Sequence, residues 1–391
     1  MSQFASRFWL LSAVVAMASC GPGGGGTSAG TDAGGGAGAS GTGGTDAAQA
    51  PEAGSGGAGG VSGTGGVSGA GGALPPSRCS FNSGVDGPAA AAPATEMVVL
   101  RRLARFLDDA SNPPAGVTAS ATTPATAAFA TAAATRILDD HVAKGTEAAG
   151  LVRFLVTWLK LPMGNNAPAH TWSRTLLAAN ATLNSLFTAP TADAHRSGVF
   201  TDRALLTART AISSRGQWLA ENVFCVSPFG DVGMMHLGVP ADTTPGITRR
   251  QRLAKEMAPF GNGCVGCHNQ IDPPGFALEH FDEMGAYRDQ DNGRPVDSGG
   301  KLLPPLPALS FTSIDDLAPQ LAMSCVVDYC FANGLLTDAL AAAAADLAMP
   351  PAPAFSRSEA DRVATAFVNA NLSVRALVGA IVSTPSFLRG P

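Results

Sequence analysis

From Glu96 onward, apolar residues recur at the three- and four-residue spacing that marks one face of a helix. Met97, Val98, Val99 and Leu100, with Leu103, Phe106 and Leu107, predict a first surface helix whose other face carries Arg101, Arg102 and Arg105. An Ala/Thr stretch from Ala119 to Thr135 leads into Ile137 and Leu138, and Leu151, Phe154, Leu155, Trp158 and Leu159 define a further segment that Pro162 stops. Trp172, Leu176, Leu177, Leu183, Leu186 and Phe187 read as one more helix, ending at Pro190. A polar connection leads to Arg203-Ala204-Leu205-Leu206, and shorter helices are expected at Gln217–Cys225 and from Thr248 to about Met257, where Gly261 and Gly263 break the pattern. Asp272 followed by Pro273 reads as an N-cap with proline at the first helical position. The helix it starts is expected to reach Met284, with Gly285 as its stop. That register puts Phe276, Ala277, His280, Phe281 and Met284 on a buried face and Glu279, Asp282 and Glu283 toward water. Beyond it, Ser313 to Asp316 begin a helix running through Leu317, Leu321, Val326 and Val327, and Ala339 to Leu347 is helical by propensity. Ser356 and Glu359 form a capping box for Ala360 to Ala370, and Ser373 opens a last helix from Val374 to Val382.

Ahead of these helices the pattern differs. Arg7 and the apolar run Phe8 to Ala18, too short to span a bilayer, read as a signal peptide over residues 1–20. It ends in Met17-Ala18-Ser19-Cys20, which resembles a bacterial lipobox with Met17 in the place usually held by Leu; Cys20 is therefore the expected lipidation site. Residues 21–78 hold 24 of the 47 glycines with no apolar periodicity, so they cannot bury enough surface to offset their ordering entropy, and a disordered linker is expected. A flexible coil of that length would span about 40 to 45 Å end to end, enough to lift a folded body clear of a membrane.

Composition narrows the function classes. Only 14% of the 391 residues are charged and the formal net charge is -5, so no basic footprint for nucleic acid is present. One run has a spacing that dictates chemistry: Cys264-Val265-Gly266-Cys267-His268. In C-x-x-C-H, two thiols one helical turn apart can form thioethers to a haem's vinyl groups while the adjacent imidazole binds iron from the proximal side. A zinc site needs four ligands, and no second Cys/His pair stands at a suitable spacing. A redox dithiol is expected beside a βαβ pattern, which this helical stretch lacks, so a dithiol or structural disulfide is the weaker alternative. One covalent haem c on Cys264, Cys267 and His268 is the expected cofactor, with His268 ligating the iron. For the sixth ligand Met284, Met323, Met349, His236, His280 or an open position all remain, each methionine reading equally as core filling.

Other groups sort into structural roles. Arg288 and Arg294 suit haem propionates or ordinary ion pairs. Asp289-Gln290-Asp291-Asn292-Gly293 resembles a calcium loop, but its Gly falls at the fifth position and no Glu takes the twelfth, so a turn is expected. Cys79, Cys225, Cys325 and Cys330 can form two bridges in three ways. Cys325 and Cys330, five apart on one predicted helix, are awkwardly placed to pair with each other, which favours bridges from Cys225 and Cys79 into that helix.

Several stretches together resemble a known family. Ser213 to Trp218, Glu221 to Cys225, Cys264 to His268, Ile271 to Glu279, Phe281-Asp282 and Tyr287 to Asp289 are similar to the bacterial domain of unknown function 1588, over about residues 195–300. Leu138 to Leu161 and Ser185 to Pro190 resemble the companion domain 1592, in shortened form, and Leu317 to Cys330 with Leu377 to Phe387 resembles the domain 1585. The resemblance implies an exported planctomycete or myxobacterial protein of the kind often found beside cytochrome c modules, and names no reaction. The expected fold class is mainly α, divided into helical segments at 79–194, 195–300 and 301–391, with a c-type cytochrome-like haem-attachment segment in the second. The expected function is an exported haem lipoprotein of the outer membrane or periplasmic face that passes electrons to a redox partner protein. A peroxidase-like oxidoreductase and a haem-free lipoprotein binding a partner or polysaccharide are the alternatives.

Overall fold

The computed structural model describes residues 79, 81, 92–113, 116–162, 164, 166–178, 181–191, 193, 195–226, 245–258, 261–344 and 355–389, with side chains at 261–264 excepted. The stretches expected to be a signal peptide, with Cys20, and a linker, together with His236 and Met349, lie outside these residues. The described chain is mainly α, with strand confined to two-residue pairs.

Helices α1 (Glu96–Asp108), α2 (Ala127–Lys144), α3 (Ala149–Trp158) and α4 (Ala167–Leu177) pack against one another. The first also packs on α11 (Cys325–Ala343), which in turn meets α12 (Arg357–Asn369) and α13 (Val374–Val382). Helices from the beginning and end of the described chain therefore share one core, in which Phe106, Phe154, Trp158, Phe187, Phe331, Phe367 and Phe387 are buried. Phe331 meets Phe154 and Trp158 edge to face at 5.3 and 5.1 Å, near the favoured geometry for ring pairs. Arg102, expected on an exposed face, donates instead to the carbonyls of Phe387 and Leu388 and so ties α1 to the last helix, α14 (Pro385–Arg389).

Local signals explain most boundaries. Thr248 and Gln251 form a capping box at the start of α8 (Arg249–Met257), and Ser356 and Glu359 form the expected one at α12. Two long predicted helices are each divided. The segment from Trp172 to Pro190 breaks into α4 and α5 (Leu183–Thr188), because Ala178 leaves helical dihedrals and Thr182 with Ser185 caps a new start. The segment through Leu317 and Val327 breaks into α10 (Ile314–Leu321) and α11, with extended Ser324 between them. Between α5 and α8 the chain forms α6 (Arg203–Thr207) and α7 (Ile212–Trp218), the latter continuing as a π turn at Leu219–Val223. After α9 (Gly261–Phe276) come two hairpin fragments, β1 (Gln290–Asp291) with β2 (Arg294–Pro295) and β3 (Gly300–Lys301) with β4 (Ser310–Phe311). Asn292 and Gly293, at φ 52° and 78°, join the first pair as the expected turn, the Asn-Gly pairing that two left-handed positions select.

Both cysteine pairs end on α11: Cys79 bonds Cys325 and Cys225 bonds Cys330, with Cα atoms 5.5 and 5.4 Å apart. The second bond crosses 105 residues and fastens the end of the π turn to the core. Replacing Cys225 and Cys330 together by alanine is expected to cost about 2–5 kcal/mol. Thermal unfolding should show a larger loss when the wild type is reduced, since that opens the Cys79–Cys325 bond as well, and an unchanged midpoint in the double variant would contradict the role assigned to this bond.

Candidate functional site

α9 carries the C-x-x-C-H run, so positions 264, 267 and 268 fall in the i, i+3, i+4 register of one helix face. What lets this glycine- and proline-bearing sequence stay helical is its crossing with α7. A Cβ at Gly216 would lie 1.6 Å from the carbonyl oxygen of Ile271, and one at Gly275 would lie 2.2 Å from that of Ile212. The two backbones touch, and the crossing brings Ser213 of α7 against the motif helix.

The expected N-cap at Asp272 is corrected by this arrangement. α9 runs through Asp272, Pro273 and Pro274 and ends at Phe276, rather than starting at Asp272 and running to Met284. Asp272 does not cap because its carboxylate is committed elsewhere: its two oxygens lie 3.1 and 3.0 Å from His268 Nδ1, one turn back on the same helix. Ser213 Oγ donates to Asp272 Oδ1 at 2.6 Å and sits 3.4 Å from the same imidazole nitrogen. Pro273 and Pro274 fall in the last turn and have no N–H to donate back to residues 269 and 270, and the helix ends two residues later at Phe276.

His268 thus has one nitrogen held and the other uncommitted. A neutral imidazole facing an ionised carboxylate carries its proton on the facing nitrogen, which leaves the Nε2 lone pair for a ligand or metal. Side-chain exposure is 22% for His268 and 10% for Asp272, so the pair is shielded on the carboxylate side and accessible on the other. Cys267 is half-buried. Chemically, such a helix face can offer a thiol and an imidazole nitrogen to one incoming group, with a carboxylate behind the imidazole to fix its orientation.

Below the motif helix lies a buried charge network centred on Glu279. Glu279, expected to face water, is 2% exposed, because the chain turns at 277–280 instead of continuing as helix. Arg249, Arg288 and Arg215 approach its carboxylate at 3.4, 3.3 and 4.0 Å. Burial pushes this carboxyl above its ordinary value, against the pull of the three guanidiniums. Arg215 is fully buried and donates to the carbonyls of Arg209, Leu278, Phe281 and Asp282. Burial pulls its guanidinium down to about 10, with Arg249 adding to the effect, so it stays charged at neutral pH. Arg288 also donates to Asp291 Oδ1 at 2.6 Å, and Arg294 to the carbonyl of Gly246 at 2.6 Å; both are held by protein partners. Arg250 of α8 stacks over Phe276 at 4.0 Å and fixes the end of α9.

The sixth-ligand candidates scatter. Met284 and Met323, read equally as core filling, are 63% and 66% exposed. His280 Nδ1 lies 3.0 Å from the carbonyl oxygen of Arg288, and its ring stacks on Tyr287, which stacks in turn on His195 at 3.9 Å. No group of three or more His, Cys, Asp or Glu positioned to hold a metal ion occurs among the described residues.

Sequence reasoning singled out Cys264, Cys267 and His268, read Asp272 as a helix cap and gave Ser213 no task. The available signal was the four-residue step from His268 to Asp272, which on a helix makes neighbours of the two side chains. Ser213 and Gly216 carry no such signal, since their roles exist only across the α7–α9 crossing.

Residues 196–291 match the family described as PSCyt3, protein of unknown function (DUF1588). The matched span holds α7, the π turn, α8, α9 and the buried charge network, and with them Ser213, His268 and Asp272. The stretches resembling the domains 1592 and 1585 lie outside it. No curated protein and no solved structure matches the chain.

Proposed function

Taking residues 196–291 as a segment of the DUF1588 family, we propose that this chain is an exported haem c protein, anchored in the cell envelope through lipid on Cys20, that carries electrons to or from a redox partner. Cys264 and Cys267 would hold the haem through two thioethers and His268 would bind its iron through Nε2. When bound, the haem supplies a one-electron couple; the protein's part is to hold, orient and partly bury it. The observation that supports this reading is the hydrogen bonding of His268: Nδ1 is fixed by Asp272, so the nitrogen needed for iron is the one left uncommitted, on the helix face shared with both cysteine positions.

The test is covalent. Co-expressed with cytochrome c maturation factors, the full chain should stain for haem on a denaturing gel and gain the mass of one haem, and Cys264→Ala with Cys267→Ala should lose both. An unmodified mass with Cys264 and Cys267 joined to each other would overturn the proposal and leave the haem-free envelope lipoprotein. The carboxylate behind His268 favours a second reading, a peroxidase-like oxidoreductase with an open distal position, because negative charge there steadies an oxidised iron. Rapid carbon monoxide binding to the reduced protein would favour that enzyme over the carrier.

A further inference from the structure

Resting on the haem reading above, we propose that Asp272 is a positioning residue that lowers the reduction potential of the group on His268, and that Ser213 moderates it. The two oxygens of Asp272 stand 3.1 and 3.0 Å from His268 Nδ1, so the imidazole N–H is shared with a full carboxylate rather than with a neutral carbonyl. A carboxylate in this position raises the basicity of the opposite nitrogen and places negative charge one ring away from whatever Nε2 binds. The more positive, oxidised metal gains most from that charge. With Asp272 only 10% exposed, water screens it weakly.

Ser213 acts in the opposite sense. Its hydroxyl donates to Asp272 Oδ1 at 2.6 Å, drawing charge off the oxygen that would otherwise face the imidazole alone. Since Ser213 reaches across from α7, and α7 and α9 touch through Gly216 and Gly275, the three groups keep their spacing without freedom to drift. Removing the charge of Asp272 and removing the hydroxyl of Ser213 therefore have effects of opposite sign, which a purely structural role for either residue would not produce.

The experiment uses the full chain with covalent haem, verified by haem stain and intact mass, and follows the ferric–ferrous ratio by spectroelectrochemical titration. Asp272→Asn keeps a neutral acceptor for Nδ1 but removes the charge. It should shift the ratio toward ferrous by tenfold or more at a fixed ambient potential, about 59 mV upward for one electron. Ser213→Ala leaves the carboxylate more fully charged and should move the potential downward by a smaller amount. Haem retained with both potentials unmoved, or both moved the same way, overturns the inference and leaves the haem reading standing. A wild type without covalent haem overturns both. Should Asp272→Asn fail to fold, Ser213→Ala decides alone: an unchanged or raised potential defeats the proposal.

Discussion

Gly216→Ala is expected to destabilise the protein by at least about 3 kcal/mol, a large share of the 5–15 kcal/mol that holds a typical domain folded. The added methyl would sit 1.6 Å from the carbonyl oxygen of Ile271 and 2.8 Å from the amide nitrogen of Gly275. Both are backbone atoms of a helix, so no side-chain rotation relieves the overlap and the helices must part. Ordinary overpacking costs about 1–3 kcal/mol where side chains can shift, and the cost here falls at or above that range. Separation would also withdraw Ser213 from Asp272 and so loosen His268. Denaturant unfolding measures the effect, with Gly266→Ala as control: a methyl there meets nothing within 4 Å, and removing a helical glycine should stabilise by about 0.5–1 kcal/mol. Equal midpoints for wild type and Gly216→Ala would show that α7 and α9 are not in backbone contact.

Arg215→Met is expected to cost about 3–5 kcal/mol, the penalty of breaking a buried charged group out of its network. The methionine stem fills much of the same space, so the loss comes from polar groups rather than from a cavity. Carbonyls of Arg209 and Phe281 would lose the Arg215 donor, those of Leu278 and Asp282 would be left with the backbone N–H of Phe281 and Gly285, and buried Glu279 would lose one of its three cations. The contrast is Lys144→Ala, which removes an ion pair to Asp140 whose partners are 64% and 57% exposed; about 0.5 kcal/mol or less is expected there. Urea unfolding of both variants checks the difference, and a mild Arg215→Met would mean that water reaches the 278–282 carbonyls.

Much of the helical framework is legible in the sequence, and the reasons are local. Periodicity at Met97 to Leu107 marks α1, the Ser356–Glu359 box marks α12, and the Asn292-Gly293 pair marks its turn, because each signal lies within a few residues of its effect. The bridges into α11 were also within reach, since two cysteines five apart on a helix point away from pairing with each other. What escaped depends on distant partners. Asp272-Pro273 has the composition of a helix start, yet the carboxylate serves Ser213, 59 residues earlier, and the helix continues. Glu279 looks like a solvent residue until Arg215, Arg249 and Arg288 converge on it from three separate stretches. For the candidate site, spacing is what singles out the cysteines and the histidine, whereas the groups that orient the histidine emerge only when α7 and α9 are brought together.

The two crosslinks on α11 also decide how the chain responds to proteolysis. Their spans overlap, one from Cys79 to Cys325 and the other from Cys225 to Cys330. A nick between Cys79 and Cys225 and a second between Cys225 and Cys325 give three fragments, and the two without α11 each hold a sulfur bonded to the piece that bears it. Under oxidising conditions such a twice-cut protein keeps its full mass and migrates as a single species, and only a reductant reveals that the polypeptide has been severed.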